Sequence, residues 1–284
     1  MAIEFSDVLK PQPKENILIV DGLNIAFRWR HQGILDFKWD YIRTVESLAK
    51  SYEAGTIIIT ADGGSTYRKE IYPEYKANRK ERFADQTEQE QKEFEMFMAE
   101  FSDTLTELKN KYLVFQFKGV EADDIAAYIT QNLDKYNFEE CWLVSSDKDW
   151  DLLISDRVSR FSTVTRKETT MLNWDDHYDF LPEDYITFKC LTGDKGDNVP
   201  GIPGVGPKRA VQLMEQYGSV FDIYDACPID GRYKYIQSLN DNSEQLLTNV
   251  ELMDLVTYSE EAIGSENVDT INNDIKRYVD ENRI

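Results

Sequence analysis

Four short apolar runs recur along the first 165 residues, and three of them lead into an aspartate. Residues 16–20 (NILIV), 56–60 (TIIIT), 113–117 (LVFQF) and 141–145 (CWLVS) are too short for buried helices and rich in branched or aromatic side chains, so they are predicted to be strands. Between them, residues 39–52 and 122–135 carry apolar residues at helical spacing, with Ile125, Tyr128, Ile129 and Leu133 in the second stretch. Strands alternating with helices imply a parallel sheet covered on both faces, an α/β core over residues 1–180. Such a sheet binds ligands outside the carboxyl ends of its strands. Asp21 follows the first run, Asp62 the second, and Asp147 with Asp149 the fourth.

Residues 64–111 break the rhythm with a long charged insertion of helical propensity, expected to form a helical arch over the core. Its later part, with Phe94, Phe97, Met98 and Phe101, is expected to return to the body as an amphipathic helix. Beyond about residue 180 the pattern becomes all helical. Pro182 is suited to open a helix through Cys190, a Gly/Pro-rich turn follows (GDKGDNVPGIPGVGP), and 208–217 forms the next helix, ended by Gly218. A helical region over 181–284 is therefore expected, with a helix–turn–helix unit at about 184–218.

Glu121, Asp123 and Asp124 (EADD) open the helix at 122, on the same rim as the strand-end acids, and Asp194 and Asp197 (GDKGD) lie in the turn before the glycine-rich loop. Any one of these acids is explained as a helix cap. Nine together would repel and shift their pKa values unless cations neutralised them. Oxygen ligands without His or Cys select Mg²⁺ or Mn²⁺. So many carboxylates point to two ions about 3.5–4 Å apart, an arrangement suited to phosphodiester hydrolysis.

Composition restricts the partners. The chain has 53 Asp+Glu against 32 Lys+Arg, a net charge of -21, which repels phosphate in bulk. A nucleic-acid partner therefore requires acid concentrated at a metal site and base gathered locally. Residues 68–82 supply such a patch, six Lys/Arg against three Glu. Two histidines, His31 and His177, and three cysteines without a CxxC argue against a zinc site or a disulfide framework. No run of 18 apolar residues occurs, and the acidic start, 1–7, lacks a basic signal region, so a cytoplasmic protein is expected.

Seven motifs then occur in order: IVDG (19–22), the strand end at Asp62, EYKANR (74–79), GVEADD (119–124), SSDKDW (145–150), TGDKGDN (192–198) and GIPGVGPKRA (201–210). Together they resemble the flap endonuclease family, in particular bacteriophage 5′-3′ exonucleases and the 5′-nuclease domain of bacterial DNA polymerase I. The resemblance implies a PIN-like nuclease core, a helical arch and a helix-hairpin-helix (helix-three-turn-helix) region. It implies cleavage of DNA at 5′ flaps and 5′ ends, and of RNA/DNA hybrids, in replication and repair. A monomer acting without a membrane is expected, in the host cytoplasm if the chain is viral.

By position, Asp62, Glu121, Asp123 and Asp124 resemble ligands of one Mg²⁺ (Mn²⁺ substituting), and Asp147, Asp149, Asp194 and Asp197 those of a second, with Asp21 supporting the cluster. Lys76 and Arg79 resemble cations at the scissile phosphate, and Tyr75 a residue stacking on a terminal base. The glycine-rich loop, with Gly204, Gly206, Lys208 and Arg209, resembles a duplex-gripping hairpin that also holds K⁺; free N–H groups at the helix start suit a phosphate. Phe27, Arg28, Arg30 and Lys234 resemble further DNA contacts. Since no polymerase segment follows, a standalone nuclease is expected. The alternatives are a non-catalytic structure-specific DNA-binding protein of the same fold, and a small-molecule phosphatase. The latter needs a DxD after the first strand, where Asp21 is followed by Gly22 and Leu23.

Overall fold

The computed structural model describes residues 15–282, without the side chains of 80–82 and 282; the acidic start at 1–7 lies outside the described residues. Six strands form one sheet in the order β3-β2-β1-β4-β5-β6. They are β1 (Glu15–Asp21), β2 (Ala54–Thr60), β3 (Leu113–Phe115), β4 (Phe138–Val144), β5 (Val158–Phe161) and β6 (Glu168–Thr169). All pairings are parallel except that of β6, which closes the edge antiparallel to β5.

The NILIV run is continuous rather than alternating because both sheet faces are covered. Ile17, Leu18, Ile19 and Val20 are all 0% exposed, and full burial of each contributes about 1.5–3 kcal/mol. Ile17 and Ile19 face α6 (Ala122–Gln131) together with the last two helices, α12 (Leu255–Ile263) and α13 (Ser265–Asn282). Leu18 and Val20 face α1 (Gly22–Arg30), α2 (Lys38–Ser51) and the second half of α5 (Glu88–Leu108).

A separate core holds the helical region, from α7 (Tyr185–Thr192) through α8 (Pro207–Tyr217), α9 (Val220–Ala226), α10 (Lys234–Asp241) and α11 (Glu244–Met253). Between α7 and α8 the short strands β7 (Gly193–Asp194) and β8 (Val199–Pro200) pair and fix the GDKGDN turn. Since α12 and α13 return to the sheet, the two cores do not divide cleanly at residue 180.

The insertion is more firmly built in than an arch over 64–111 would be. It contains α3 (Thr66–Ile71), α4 (Ala77–Ala84) and α5. Arg68 and Tyr75 are buried at one end, and Phe97, Phe101, Leu105 and Leu108 at the other. No described side chain from 77 to 96 is fully buried, and Phe94 alone of the hydrophobics in this stretch packs against the sheet-side core. The body closes behind it through Gly63, whose amide donates to the Val120 carbonyl at 2.8 Å. A Cβ at Gly63 would lie 1.8 Å from the Phe117 carbonyl oxygen, so only glycine allows this approach.

Candidate active site

The chain leaves β1 toward β2 on one side and returns to pair β4 on the other, so the crevice opens at the carboxyl end of β1. Asp21 is the last residue of β1 and caps α1, accepting from the Asn24 amide at 3.1 Å. Val20 is in register with Val144, which brings Ser145 alongside; its hydroxyl donates to Asp21 at 2.8 Å. Asp62 accepts from the Ala122 amide at 2.9 Å, pinning the start of α6 to the end of β2. Asp147 caps the 3₁₀ turn Lys148–Leu153.

These acids share one field. Burial first, then Asp62 and more weakly Asp147, push the Asp21 carboxyl from an ordinary 3.8 up to about 7, against the hydrogen bonds from Ser145 and Asn24. Burial and then Asp147, Asp62 and Asp21 push Asp123 well above its ordinary value. Burial raises Asp62 also, opposed by the Ala122 amide and Lys76. Asp21, Asp62, Asp123 and Asp147 form no ion pair among the described residues.

The other five acids have cationic partners. Arg68, 3% exposed, grips Asp124 with two bonds of 2.7 Å and reaches Glu121 at 2.7 Å. Lys76 pairs with Glu121 and lies 3.4 Å from Asp197, which Arg79 meets at 2.6 Å. Lys189, also buried, pairs with Asp149 and lies 3.4 Å from Asp194. Burial opposes the charges of Glu121 and Asp197, yet Arg68 and Lys76 on the first, and Lys76 and Arg79 on the second, hold both carboxyls below their ordinary values. At Asp149 burial wins over Lys189 and lifts the carboxyl to about 6.

The donor set is all oxygen, as hard divalent ions require. Among the described residues no three of these acids are drawn close enough together to hold a metal ion as they stand, and Arg68, Lys76, Arg79 and Lys189 counter five of the charges. A small gap of about 10 Å³, the room of about one water, lies among Asp123, Asp149, Asp194 and Asp197, with Arg68 and Tyr75 also on its wall. Beside it a cavity of about 310 Å³ is lined by Asp62, Glu121, Lys69, Lys76 and Arg79.

One expected role does not survive the geometry. The Tyr75 ring is 4% exposed and packs in the helical core, with its hydroxyl donating to Asp197 at 2.9 Å, so it is not presented to a terminal base. Phe27 is half-buried and packs against Phe97, ring centroids 5.2 Å apart, while the Arg30 guanidinium lies over Phe94 at 4.6 Å. Arg28 is exposed in a cleft of about 420 Å³ that it shares with Arg43 and Arg166.

Gly204, Gly206, Lys208, Arg209 and Lys234 are all exposed. Gly204 takes φ +83°, Arg209 donates to its carbonyl at 2.5 Å, and the same guanidinium lies 4.7 Å over Tyr235. Sequence reasoning missed Arg68 and Lys189. The one available signal was a single Lys within the apolar run YITFKCLT of α7.

A family model described as "5′-3′ exonuclease, N-terminal resolvase-like domain" matches residues 16–179, and one described as "5′-3′ exonuclease, C-terminal SAM fold" matches 180–276. The chain belongs to the 5′-3′ exonuclease family. Within it, the flap endonuclease of Escherichia phage T5 is 41% identical over 91% of this chain and 89% of its own length. DNA polymerase I of Thermus caldophilus is 30% identical over 74% of this chain, which spans 25% of that polymerase. The structure of the T5 5′-exonuclease with bound divalent zinc superposes with a TM-score of 0.88 at 40% identity, covering 93% of this chain and 99% of that one. The T5 flap endonuclease in a pseudo-enzyme–product complex with DNA and metal ions matches equally, TM-score 0.88, with the same identity and coverage. The expected α/β core with a helical C-terminal region is therefore the fold of this family. Among the described residues no helix is long and apolar enough to cross a membrane.

Proposed function

We propose that this chain is a structure-specific 5′ nuclease that hydrolyses DNA phosphodiesters at 5′ flaps and 5′ ends, leaving 5′-phosphate and 3′-hydroxyl, and accepts RNA/DNA hybrids. The observation that carries this reading is the group Asp21, Asp62, Asp123 and Asp147. These four form no ion pair among the described residues at the carboxyl edge of the sheet; burial raises the carboxyls of Asp21, Asp62 and Asp123, and repulsion within the group adds to it at Asp21 and Asp123.

In this reading Asp62, Glu121, Asp123 and Asp124 hold one Mg²⁺, Asp147, Asp149, Asp194 and Asp197 a second, and Asp21 supports both. Bound there, the ions supply an activated water and a counter-charge for the leaving oxygen. Lys76, already aimed at Glu121 and Asp197, turns toward the scissile phosphate and offsets charge that develops on it. Arg79 orients the same phosphate. Lys208, Arg209, Lys234 and the Gly204–Gly206 turn grip the duplex by its backbone, without reading bases. Arg28 and Phe27 extend that contact. Backbone carbonyls of this turn would hold K⁺. Residues up to 180 together with α12 and α13 act as the nuclease core and α7–α11 as the DNA-gripping region, in a cytoplasmic setting.

The test is a 5′-labelled flap substrate incubated with Mg²⁺ and, separately, with chelator. Release of the whole flap or stepwise shortening, only with Mg²⁺, is expected. Binding without product in Mg²⁺ would instead make this a DNA-binding protein of the same fold.

A further inference from the structure

Of the acids that carry no cation, Asp123 is held in a way the others are not. Its carboxylate accepts one hydrogen bond among the described residues, from the indole N–H of Trp150 at 2.6 Å. Trp150 is 0% exposed and packed with Ile125, Ala126 and Ile129 of α6 and Leu143 of β4. It belongs to the same 3₁₀ turn, Lys148–Leu153, whose cap is Asp147 and whose second residue is Asp149. One short turn thus carries two acids of the cluster and fixes a third across the cleft.

We propose that Trp150 is a positioning residue: its indole holds one oxygen of Asp123, fixing α6 against the turn after β4 and leaving the other oxygen for a divalent ion. The proposal rests on the metal reading above. Tryptophan suits the task for two reasons. Its N–H is a donor only and stays a donor at any working pH. Its rigid ring is clamped by the core, so the oxygen it holds has little freedom. A buried hydroxyl or amide could turn to accept from another group. Partners that orient a ligating carboxylate in this manner commonly alter metal affinity by about 10–100-fold.

The experiment compares wild type with Trp150→Phe, which keeps an aromatic ring and deletes the donor. Mn²⁺ binding is followed by calorimetry without DNA, and flap-DNA binding by anisotropy in chelator. We expect Mn²⁺ affinity to fall about 10–100-fold while DNA affinity in chelator stays unchanged. Wild-type Mn²⁺ affinity in a folded Trp150→Phe protein would overturn the proposal. Absence of Mn²⁺ binding to the wild type would remove the metal reading itself, and the proposal with it. Should Trp150→Phe fail to fold, Asp123→Asn provides an independent measurement. The chain has five tryptophans, and a single indole N–H resonance is expected to move in the ¹⁵N spectrum of Asp123→Asn and on adding Mg²⁺ to the wild type. Five unmoved indole resonances in Asp123→Asn would overturn the assignment.

Discussion

Arg68 offers a sharp perturbation, because its removal breaks a buried charge pair from one side. Its guanidinium donates twice to Asp124, once to Glu121 and, through Nε, to the Leu252 carbonyl, all at 2.7 Å. Arg68→Met retains most of the side chain's stem and deletes every one of those donors. Glu121 keeps Lys76, but Asp124, 1% exposed, keeps no cation. Breaking a buried pair by removing one partner costs about 3–5 kcal/mol. At about 2–4 °C per kcal/mol for chains of this size, Tm should drop by about 6–20 °C. Thermal unfolding followed by circular dichroism in chelator measures this directly. The double variant Arg68→Met, Asp124→Asn leaves a neutral amide in place of the orphaned carboxylate and should recover about half of the loss or more. A loss below about 1 kcal/mol, the range of exposed pairs, would refute the argument, as would a double variant no more stable than the single.

The pH dependence has a definite sign. Asp21 and Asp149, raised to about 7 and about 6, bind protons more readily folded than unfolded, so in chelator stability should fall as pH rises from about 4 to about 7. Mg²⁺ should flatten that fall; equal slopes with and without Mg²⁺ in thermal scans would contradict it. Lys76→Ala should lower kcat by about 100-fold or more with a smaller change in KM, because the amine acts mainly in the transition state; a KM effect alone would assign it to docking. Gly63→Ala, which sets a Cβ 1.8 Å from the Phe117 carbonyl oxygen, should cost roughly 3 kcal/mol, and unchanged denaturant unfolding would show that the two loops separate freely. Lys208→Ala and Lys234→Ala should each weaken flap-DNA binding in chelator and lower the salt slope by about 1; an unchanged slope would take that lysine off the phosphate backbone.

The central strands were legible because burial on both faces demands unbroken apolar runs, and the strand-end aspartates marked the cleft. Strands β5 (VSRF) and β6 (ET) were not, since β5 is half polar over four residues and β6 is two polar residues at the sheet's edge, too little apolar surface to read as strand. The nine acids stood out in the sequence together with Lys76 and Arg79, but the partners Arg68 and Lys189 did not. Arg68 looks like one more basic residue of the insertion, and only the fold brings it to Glu121 and Asp124, 53 and 56 residues away. The same blindness gave Tyr75 a surface role. Its neighbours in sequence are charged, while the residues that bury it, such as Leu191 and Met253, arrive from the helical region. Nor did helical periodicity at the C-terminus disclose which core α12 and α13 would join.

The EYKANR segment is buttoned to the GDKGDN turn at three places. The Lys76 amide donates to the Asp197 carbonyl at 2.8 Å, Asn78 to the Lys195 carbonyl at 2.9 Å, and Asn198 back to the Glu74 carbonyl at 2.8 Å. Lys76 itself sits in a left-handed backbone conformation, φ +57°, where the chain changes direction. The helix that follows, α4, is thus tethered at its root to the opposite half of the molecule. The place of the Lys76 amine above Glu121 and Asp197 is therefore set jointly by the insertion and by the helical region, and a change to either fastened segment reaches the acids through the other.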